Sequence, residues 1–100
     1  MTGSNELRPE MEPGRLVKAT AGRDSGKYFA VVSVVDETYV YIADGVTRRL
    51  ANPKLKKVKH LEPRPQLLGS IAKKLSEGSK VFDAELRSAI LKSAEESKEE

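Results

Sequence analysis

Residues 16–32 read LVKATAGRDSGKYFAVV, which is a strand-like run, a polar loop between two glycines, and a second apolar strand-like run. Glycine suits positions that need a positive φ or a close backbone approach, so Gly22 and Gly26 predict a tight connection between two β-strands. Arg23 and Lys27 would project from this rigid loop, where phosphate groups can reach them. The stretch therefore predicts a small sheet that presents a basic loop.

A nucleotide-binding P-loop is the first alternative, because a glycine and a lysine also follow a strand in that motif. The spacing and the neighbours exclude it, since three residues instead of four separate the glycines and Tyr28 stands where a Ser or Thr must reach magnesium. The next segment also reads as a strand. A P-loop also needs a helix N-terminus, whose amides and dipole hold the phosphate chain, and none is predicted at this position.

The composition limits the chemistry of this 100-residue chain. Its length fits one small domain with tails and leaves no room for a large enclosed active site. The chain has no cysteine, which excludes disulfides, thiolate catalysis and the commonest structural zinc sites. One histidine, His60, is too few for a histidine metal cluster and is expected at a strand end. We therefore expect no enzymatic activity, no metal and no cofactor.

Neither a membrane span nor a secretion signal is predicted. No apolar run approaches the roughly 20 residues that cross a bilayer, and the N-terminus MTGSNE lacks the charged and apolar regions of a signal peptide. The expected location is the reducing cytoplasm, which fits the absence of cysteine.

The net charge of +3 is distributed unevenly along the chain. Residues 14–61 hold ten Lys or Arg and four Asp or Glu, a net +6, whereas residues 1–13 carry −2 and residues 62–100 carry −1. A surface of one sign favours a polyanionic partner. The basic middle of the chain is therefore the expected binding region.

Short strands separated by turn residues are predicted for this middle region. Residues 1–13 are polar without periodicity and are expected to form a disordered tail. Alternating polarity and turn signals such as Asp44-Gly45 then predict strands over 16–21, 28–35, 39–42, 46–50 and 54–61. The second strand is apolar on both faces, which suits the centre of a sheet. Such short strands fit a small closed or half-closed barrel, because parallel sheets need crossovers of about a dozen residues.

A linker over residues 63–66 and a helical extension over residues 67–98 are predicted to follow. Apolar residues recur at helical spacing from residue 67, and Gly78 suits the C-cap of this first helix. Asp83 is a good N-cap for a second helix. We expect the apolar stripes of both helices to pack on the barrel or on each other, with a protein partner as the alternative.

Two stretches, residues 14–18 (GRLVK) and 21–32 (AGRDSGKYFAVV), resemble the KOW motif, an RNA-binding element of ribosomal proteins and transcription elongation factors. The Asp-Gly and Arg-Arg pairs within residues 44–49, and residues 52–61, extend the similarity to KOW-bearing large-subunit ribosomal proteins of archaea and eukaryotes and their short bacterial relatives. In those bacterial relatives a barrel precedes a helical tail. The resemblance implies an SH3-like β-barrel over residues 14–62 and a ribosomal or ribosome-associated role in translation.

The charges and the resemblance together define a candidate interface with ribosomal RNA. Six cations and no acid lie between Val46 and Leu61, and such a run is better tolerated against a polyanion than alone. Phosphates would be the main targets, which makes affinity depend on salt. The candidate RNA-binding residues are Lys18, Arg23, Ser25, Lys27, Tyr28, Arg48, Arg49, Lys54, Lys56, Lys57 and Lys59. Gly22, Gly26 and Gly45 are candidate structural positions in the loops, and Asp24 is expected to make a local turn hydrogen bond.

Tyr39 and Tyr41 share one face of the predicted third strand, where their rings could stack on unpaired bases or complete a core instead. With Tyr28 they could also line a peptide groove, since SH3-like barrels bind peptides in aromatic grooves. A protein-protein interaction module in translation or transcription is therefore the alternative function. Salt separates the two, because RNA affinity falls steeply as salt rises and an aromatic groove tolerates salt.

Overall fold

Five β-strands precede two α-helices in the structure, a computed structural model that describes residues 11–98. The strands are β1 (Arg15–Ala19), β2 (Tyr28–Val34), β3 (Tyr39–Ala43), β4 (Lys54–Lys57) and β5 (Leu61–Leu67). A 3-10 turn (Val58–His60) joins β4 to β5, and helices α1 (Gly69–Glu77) and α2 (Asp83–Lys98) follow. The expected mostly β architecture with two C-terminal helices is confirmed at this level.

The strands form one antiparallel sheet in the order β4-β3-β2-β1-β5. The edges β4 and β5 are not paired with each other in the described residues, so the sheet is open and the predicted barrel closure is not confirmed. The 3-10 turn connects these edges across one face of the sheet. The Val58 N–H donates to the Thr38 carbonyl at 2.8 Å, and the Thr20 N–H donates to the His60 carbonyl at 2.9 Å. His60 thus lies in this turn, directly before β5.

The strand expected over residues 46–50 does not form, and the strand expected over residues 54–61 ends at Lys57. Residues 44–53 form a loop, because the Asp44 carboxylate accepts the N–H groups of Val46 and Arg48, both at 2.9 Å, instead of starting a two-residue hairpin. The missing strand is supplied by β5, which includes residues 63–66 of the predicted linker and ends at the expected first residue of the helix. Pro63 and Pro65 indicated a break, but an edge strand tolerates proline because one of its sides needs no N–H donor.

Side chains pack on both faces of the sheet, and neighbours along a strand enter different cores. Val17 lies in the turn-side core, between the sheet and the 3-10 turn, whereas Leu16 lies in the helix-side core, between the sheet and the helices. The central position of β2 agrees with its two apolar faces. The turn-side core contains Met11, Val17, Ala19, Phe29, Val31, Val40, Ile42, Val58 and Leu61. The helix-side core contains Leu16, Ala30, Ala43, Leu68, Ile71, Leu86 and Ile90.

The predicted disordered tail over residues 1–13 is only partly testable. Residues 1–10 lie outside the described part of the chain. Met11 is 2% exposed and belongs to the turn-side core, so the ordered unit begins earlier than the polar character of this segment indicates. A large apolar side chain at the end of a polar stretch is fixed by a tertiary contact that periodicity does not reveal.

The two helices dock closely against loops of the sheet. A Cβ atom at Gly14 would lie 2.5 Å from the Ala72 Cβ of α1. A Cβ atom at Gly45 would collide with the Asp83 carbonyl at the start of α2. Glycine at both positions therefore permits backbone approaches that a side chain would block.

The helix ends partly match the sequence signals. Gly78 is the C-cap of α1 with a φ of 75°, as predicted. Asp83 is not the N-cap of α2 but its first helical residue, and its carboxylate accepts the N–H of Leu50 at 2.8 Å. Neither helix described in residues 11–98 is long and apolar enough to cross a membrane.

Candidate nucleic-acid interface

The glycine-bracketed loop, residues 20–27, is a compact turn between β1 and β2. Gly22 and Gly26 have φ values of 82° and 90°, which side-chain-bearing residues rarely adopt. The Gly26 N–H donates to the Ala19 carbonyl at 2.8 Å, and the Lys27 N–H donates to the Asp24 carbonyl at 2.9 Å. Backbone hydrogen bonds therefore fix the loop, as its two glycines indicated.

Asp24 is the centre of an ion-pair cluster that the sequence analysis missed. Its side chain is 11% exposed and pairs with Arg48 Nη2 at 3.5 Å and Lys27 Nζ at 3.9 Å. The local turn hydrogen bond at Asp24 is made by its backbone carbonyl, which accepts the Lys27 N–H at 2.9 Å, whereas its side chain pairs with these two cations. Arg48 arrives from the loop over residues 44–53, so this carboxylate joins the two loops, and no local signal could have identified the partner.

Lys56 makes a second connection to the glycine-bracketed loop. Its Nζ donates to the Ala21 carbonyl at 3.4 Å. The same atom lies 3.5 Å from the place that a Cβ atom at Gly22 would occupy. Lys56 stands opposite Val40 in the sheet and therefore on the turn-side face. Its long side chain crosses the sheet edge to reach the loop.

One end of the sheet thus collects most of the candidate cations. Loop 20–27, the loop over residues 44–53 and the start of β4 all lie there, because the loops leave the ends of β1 and β3 and Lys54 stands opposite Ile42. Among these cations Arg23, Lys27 and Arg49 are exposed. We call the following residues the loop-end cluster: Arg23, Lys27, Arg48, Arg49, Lys54 and Lys56.

Asp24 and Asp44, the acidic residues of these two loops, are already engaged in contacts within the protein. Asp24 is held by the two cations described above. Burial of Asp44 raises the pKa of its carboxyl, but hydrogen bonds from the backbone N–H groups of Arg48 and Val46 and from the Thr47 hydroxyl lower that pKa below its usual value overall. The Asp44 carboxylate therefore stays ionised and stabilises its own loop, which leaves the exposed Arg23 and Arg49 available to a polyanion.

Two of the predicted cations lie at the other end of the sheet. Lys57 stands opposite Tyr39 at the far end of β4. Lys59 lies on the 3-10 turn and lines a small cleft with Glu37 and Thr38. The candidate residues are therefore divided between two ends of the sheet, because β4 runs from one end to the other.

Tyr28 packs mainly as a structural residue. It contacts the helix-side core, and Lys18 Nζ lies 5.9 Å from its ring centroid. Tyr28 also lines a cleft of about 250 Å³ together with Lys27, Val46 and side chains of α2. Along β2, about 16 Å of strand separate it from Ser33, the partner of Tyr41. Tyr28 therefore lies about five strand positions away from the pair Tyr39 and Tyr41.

Comparison with known proteins gives a consistent set of relatives. The chain is 37% identical over 65 residues to large ribosomal subunit protein eL14 of Staphylothermus marinus, a match that covers 60% of this chain and 62% of the relative. It is 37% identical over 60 residues to the protein of that name from Desulfurococcus amylolyticus, covering 55% of this chain and 57% of the relative. For Methanococcus maripaludis the identity is 40% over 53 residues, covering 53% of this chain and 62% of the relative.

These matches span about three fifths of the relatives' length. No family model matches the chain. Over somewhat more than half of its own length, the chain is similar to large ribosomal subunit protein eL14.

Proposed function

We propose that this protein is a non-enzymatic, ribosomal-protein-like RNA-binding module, whose loop-end cluster docks on structured ribosomal RNA in the cytoplasm. The observation that carries the proposal is the joining of two basic loops by Asp24, which presents Arg23, Lys27 and Arg49 to solvent at one end of the sheet. The relatives named as ribosomal proteins support the ribosome as the site of action. The KOW-type, SH3-like description of residues 14–62 belongs to the same proposal.

The proposed mechanism is phosphate neutralisation by a preformed surface. Cations that a protein has already positioned lose less conformational freedom on binding than cations on a flexible chain. Arg48 and Lys56 hold the glycine-bracketed loop through the Asp24 carboxylate and the Ala21 carbonyl. The exposed Arg23 and Arg49 side chains would then contact phosphates directly. Lys18, Ser25, Lys57 and Lys59 would add contacts outside the cluster.

The test is a titration with a folded ribosomal RNA fragment at two salt concentrations. The variant Arg23→Ala plus Arg49→Ala removes two exposed cations and leaves the Asp24 ion pairs intact. We expect weaker binding and a salt dependence whose slope, log K against log [salt], is smaller by about 2, or one unit per phosphate contact.

A matched control removes the same charge elsewhere. Lys73 and Lys92 are exposed on α1 and α2, so Lys73→Ala plus Lys92→Ala changes the net charge equally. The control should bind like the unmodified protein. Equal loss in both variants would show a response to total charge alone and would contradict the proposed interface. Binding that ignores salt would favour the alternative, a protein-protein interaction module.

A further inference from the structure

Among the described residues, one part of the helix-side face of the sheet is not covered by the helices. Helix α2 packs on β1, β2 and β5, and Ala43 at the end of β3 is buried in the helix-side core. Side chains alternate along a strand, so Tyr41 and Tyr39 lie on the same face as Ala43. Val40 and Ile42 point to the opposite side, into the turn-side core. The two tyrosines therefore continue the helix-side face beyond the helices.

The neighbouring strand completes this surface. Leu55 of β4 stands opposite Tyr41, and Lys57 stands opposite Tyr39. Leu55 is 44% exposed, although it is a large apolar residue. Both tyrosines are half-buried, so part of their surface is open to solvent. The surface therefore consists of two rings, one apolar side chain and one cation.

The charges around this surface indicate an anionic partner. Lys57 belongs to the acid-free run between Val46 and Leu61. Two acids, Asp36 and Glu37, precede β3. The Asp36 carboxylate accepts the N–H groups of Thr38 and Tyr39, both at 2.8 Å, and Glu37 lines the cleft that it shares with Lys59. A partner that combines flat rings with negative charge fits both the tyrosines and the lysine. Unpaired nucleotides have that combination, and proteins bind them by stacking bases on aromatic rings beside cations.

We propose that Tyr39, Tyr41, Leu55 and Lys57 form a stacking surface for unpaired RNA nucleotides, a second contact that rests on the proposed RNA-binding function. The loop-end cluster binds phosphates of folded RNA, whereas this surface binds bases that have left the helix. Because every base has a flat face, the surface accepts all four bases. Lys57 contacts the phosphates of the same nucleotides.

The experiment compares two fluorescent probes, a ten-residue oligouridylate and an abasic ribose-phosphate chain of equal length. The two probes carry the same phosphates, so any difference in affinity comes from the bases. We expect the unmodified protein to bind oligouridylate at least about tenfold more tightly than the abasic chain. The variant Tyr39→Leu plus Tyr41→Leu removes the rings, keeps an apolar side chain at both positions and should lose this preference, while its affinity for the abasic chain stays unchanged.

Two controls separate stacking from general effects on the protein. Tyr39→Phe plus Tyr41→Phe keeps the rings and should retain the preference for oligouridylate. Phe82→Leu removes an aromatic ring that is 59% exposed at the start of α2 and should also retain it. Far-ultraviolet circular dichroism verifies the fold of each variant. The comparison of the two probes on the unmodified protein does not depend on the folding of any variant.

The outcomes distinguish this inference from the proposed function. If the unmodified protein binds both probes equally, or if the leucine variant keeps the preference for oligouridylate, the stacking surface is wrong. Binding of folded ribosomal RNA by the loop-end cluster would still stand in that case. If neither the probes nor folded RNA bind, both proposals fail.

Discussion

Gly45 lies where the loop over residues 44–53 meets the start of α2. Its φ of 82° is in the left-handed region, and a Cβ atom there would collide with the Asp83 carbonyl. Gly26 has a similar φ of 90°, but no atom lies within 4 Å of its Cβ position. The two glycines therefore separate the effect of backbone conformation from the effect of close packing.

We expect Gly26→Ala to destabilise the protein by about 1–2 kcal/mol, the typical penalty of a left-handed alanine. Gly45→Ala should destabilise it by about 1–3 kcal/mol more, because the added methyl group must push α2 away from the loop. Urea unfolding of both variants under identical conditions measures the difference. An equal loss of stability in the two variants would show that α2 shifts at this contact without an energetic cost.

The Asp44 carboxyl should make stability depend on pH. Its pKa is below the usual value in the folded protein, because hydrogen bonds outweigh burial. A carboxyl whose pKa is lowered by folding stabilises the protein above its unfolded pKa, and this stabilisation is lost as the pH falls through the folded pKa. We expect Asp44→Asn to be less stable than the unmodified protein at pH 7 and to lose less stability on acidification to about pH 3. Urea unfolding at both pH values tests this, and parallel losses would contradict it.

At the scale of elements, α2 is held by one buried stripe and by polar contacts at its first turn. Leu86 is 0% exposed and Ile90 is 5% exposed in the helix-side core. The Glu85 carboxylate accepts hydrogen bonds from Lys74 Nζ of α1 at 2.8 Å and from the Phe82 N–H at 3.0 Å. Both hydrogen bonds lower the pKa of Glu85, and the one from Lys74 has the larger effect. The two side chains of the ion pair with Lys74 remain 39% and 30% exposed, so we expect apolar burial to contribute most of the docking energy.

Leu86→Ala should therefore lower the free energy of unfolding by about 2–5 kcal/mol, as is typical of a truncated core leucine. Leu91 lies on the same helix but is 55% exposed, so Leu91→Ala is the matched control, with an expected effect within about 0.5 kcal/mol. Chemical unfolding of both variants gives the comparison. A small effect of Leu86→Ala would show that α2 contributes little to the stability of the sheet.

At the scale of the whole molecule, the two cores share the same strands. Adjacent residues of β1 and β2 enter opposite cores, as Leu16 and Val17 do. If the residues packed on one face of the sheet unfold, they therefore expose strands that also support the core on the other face. This arrangement favours a single cooperative unit, as small domains usually form.

We expect helix and sheet to unfold in one transition. Far-ultraviolet circular dichroism, which follows the helices, and tyrosine fluorescence, which follows β2 and β3, should give the same midpoint. Phe29→Leu in the turn-side core and Leu86→Ala in the helix-side core should move both signals together. Separate midpoints for the two signals would show that the helices detach while the sheet remains folded.

The sequence by itself determined β1, β2, β3 and the two helices. Their signals are local: alternation of apolar residues, glycines at turns, and apolar stripes at helical spacing. The same information identified the basic loop and the run of cations from Arg48 to Lys59 as the candidate site.

Only the tertiary structure decided which of these residues lie together. The pairing of β5 with β1, the Asp24–Arg48 contact and the division of the lysines between two ends of the sheet all join residues that are distant in the chain. Strand register and long-range ion pairs depend on how the whole sheet assembles, and no spacing within a single segment encodes them. The glycine-bracketed loop was therefore visible in the sequence, but its arginine partner was not.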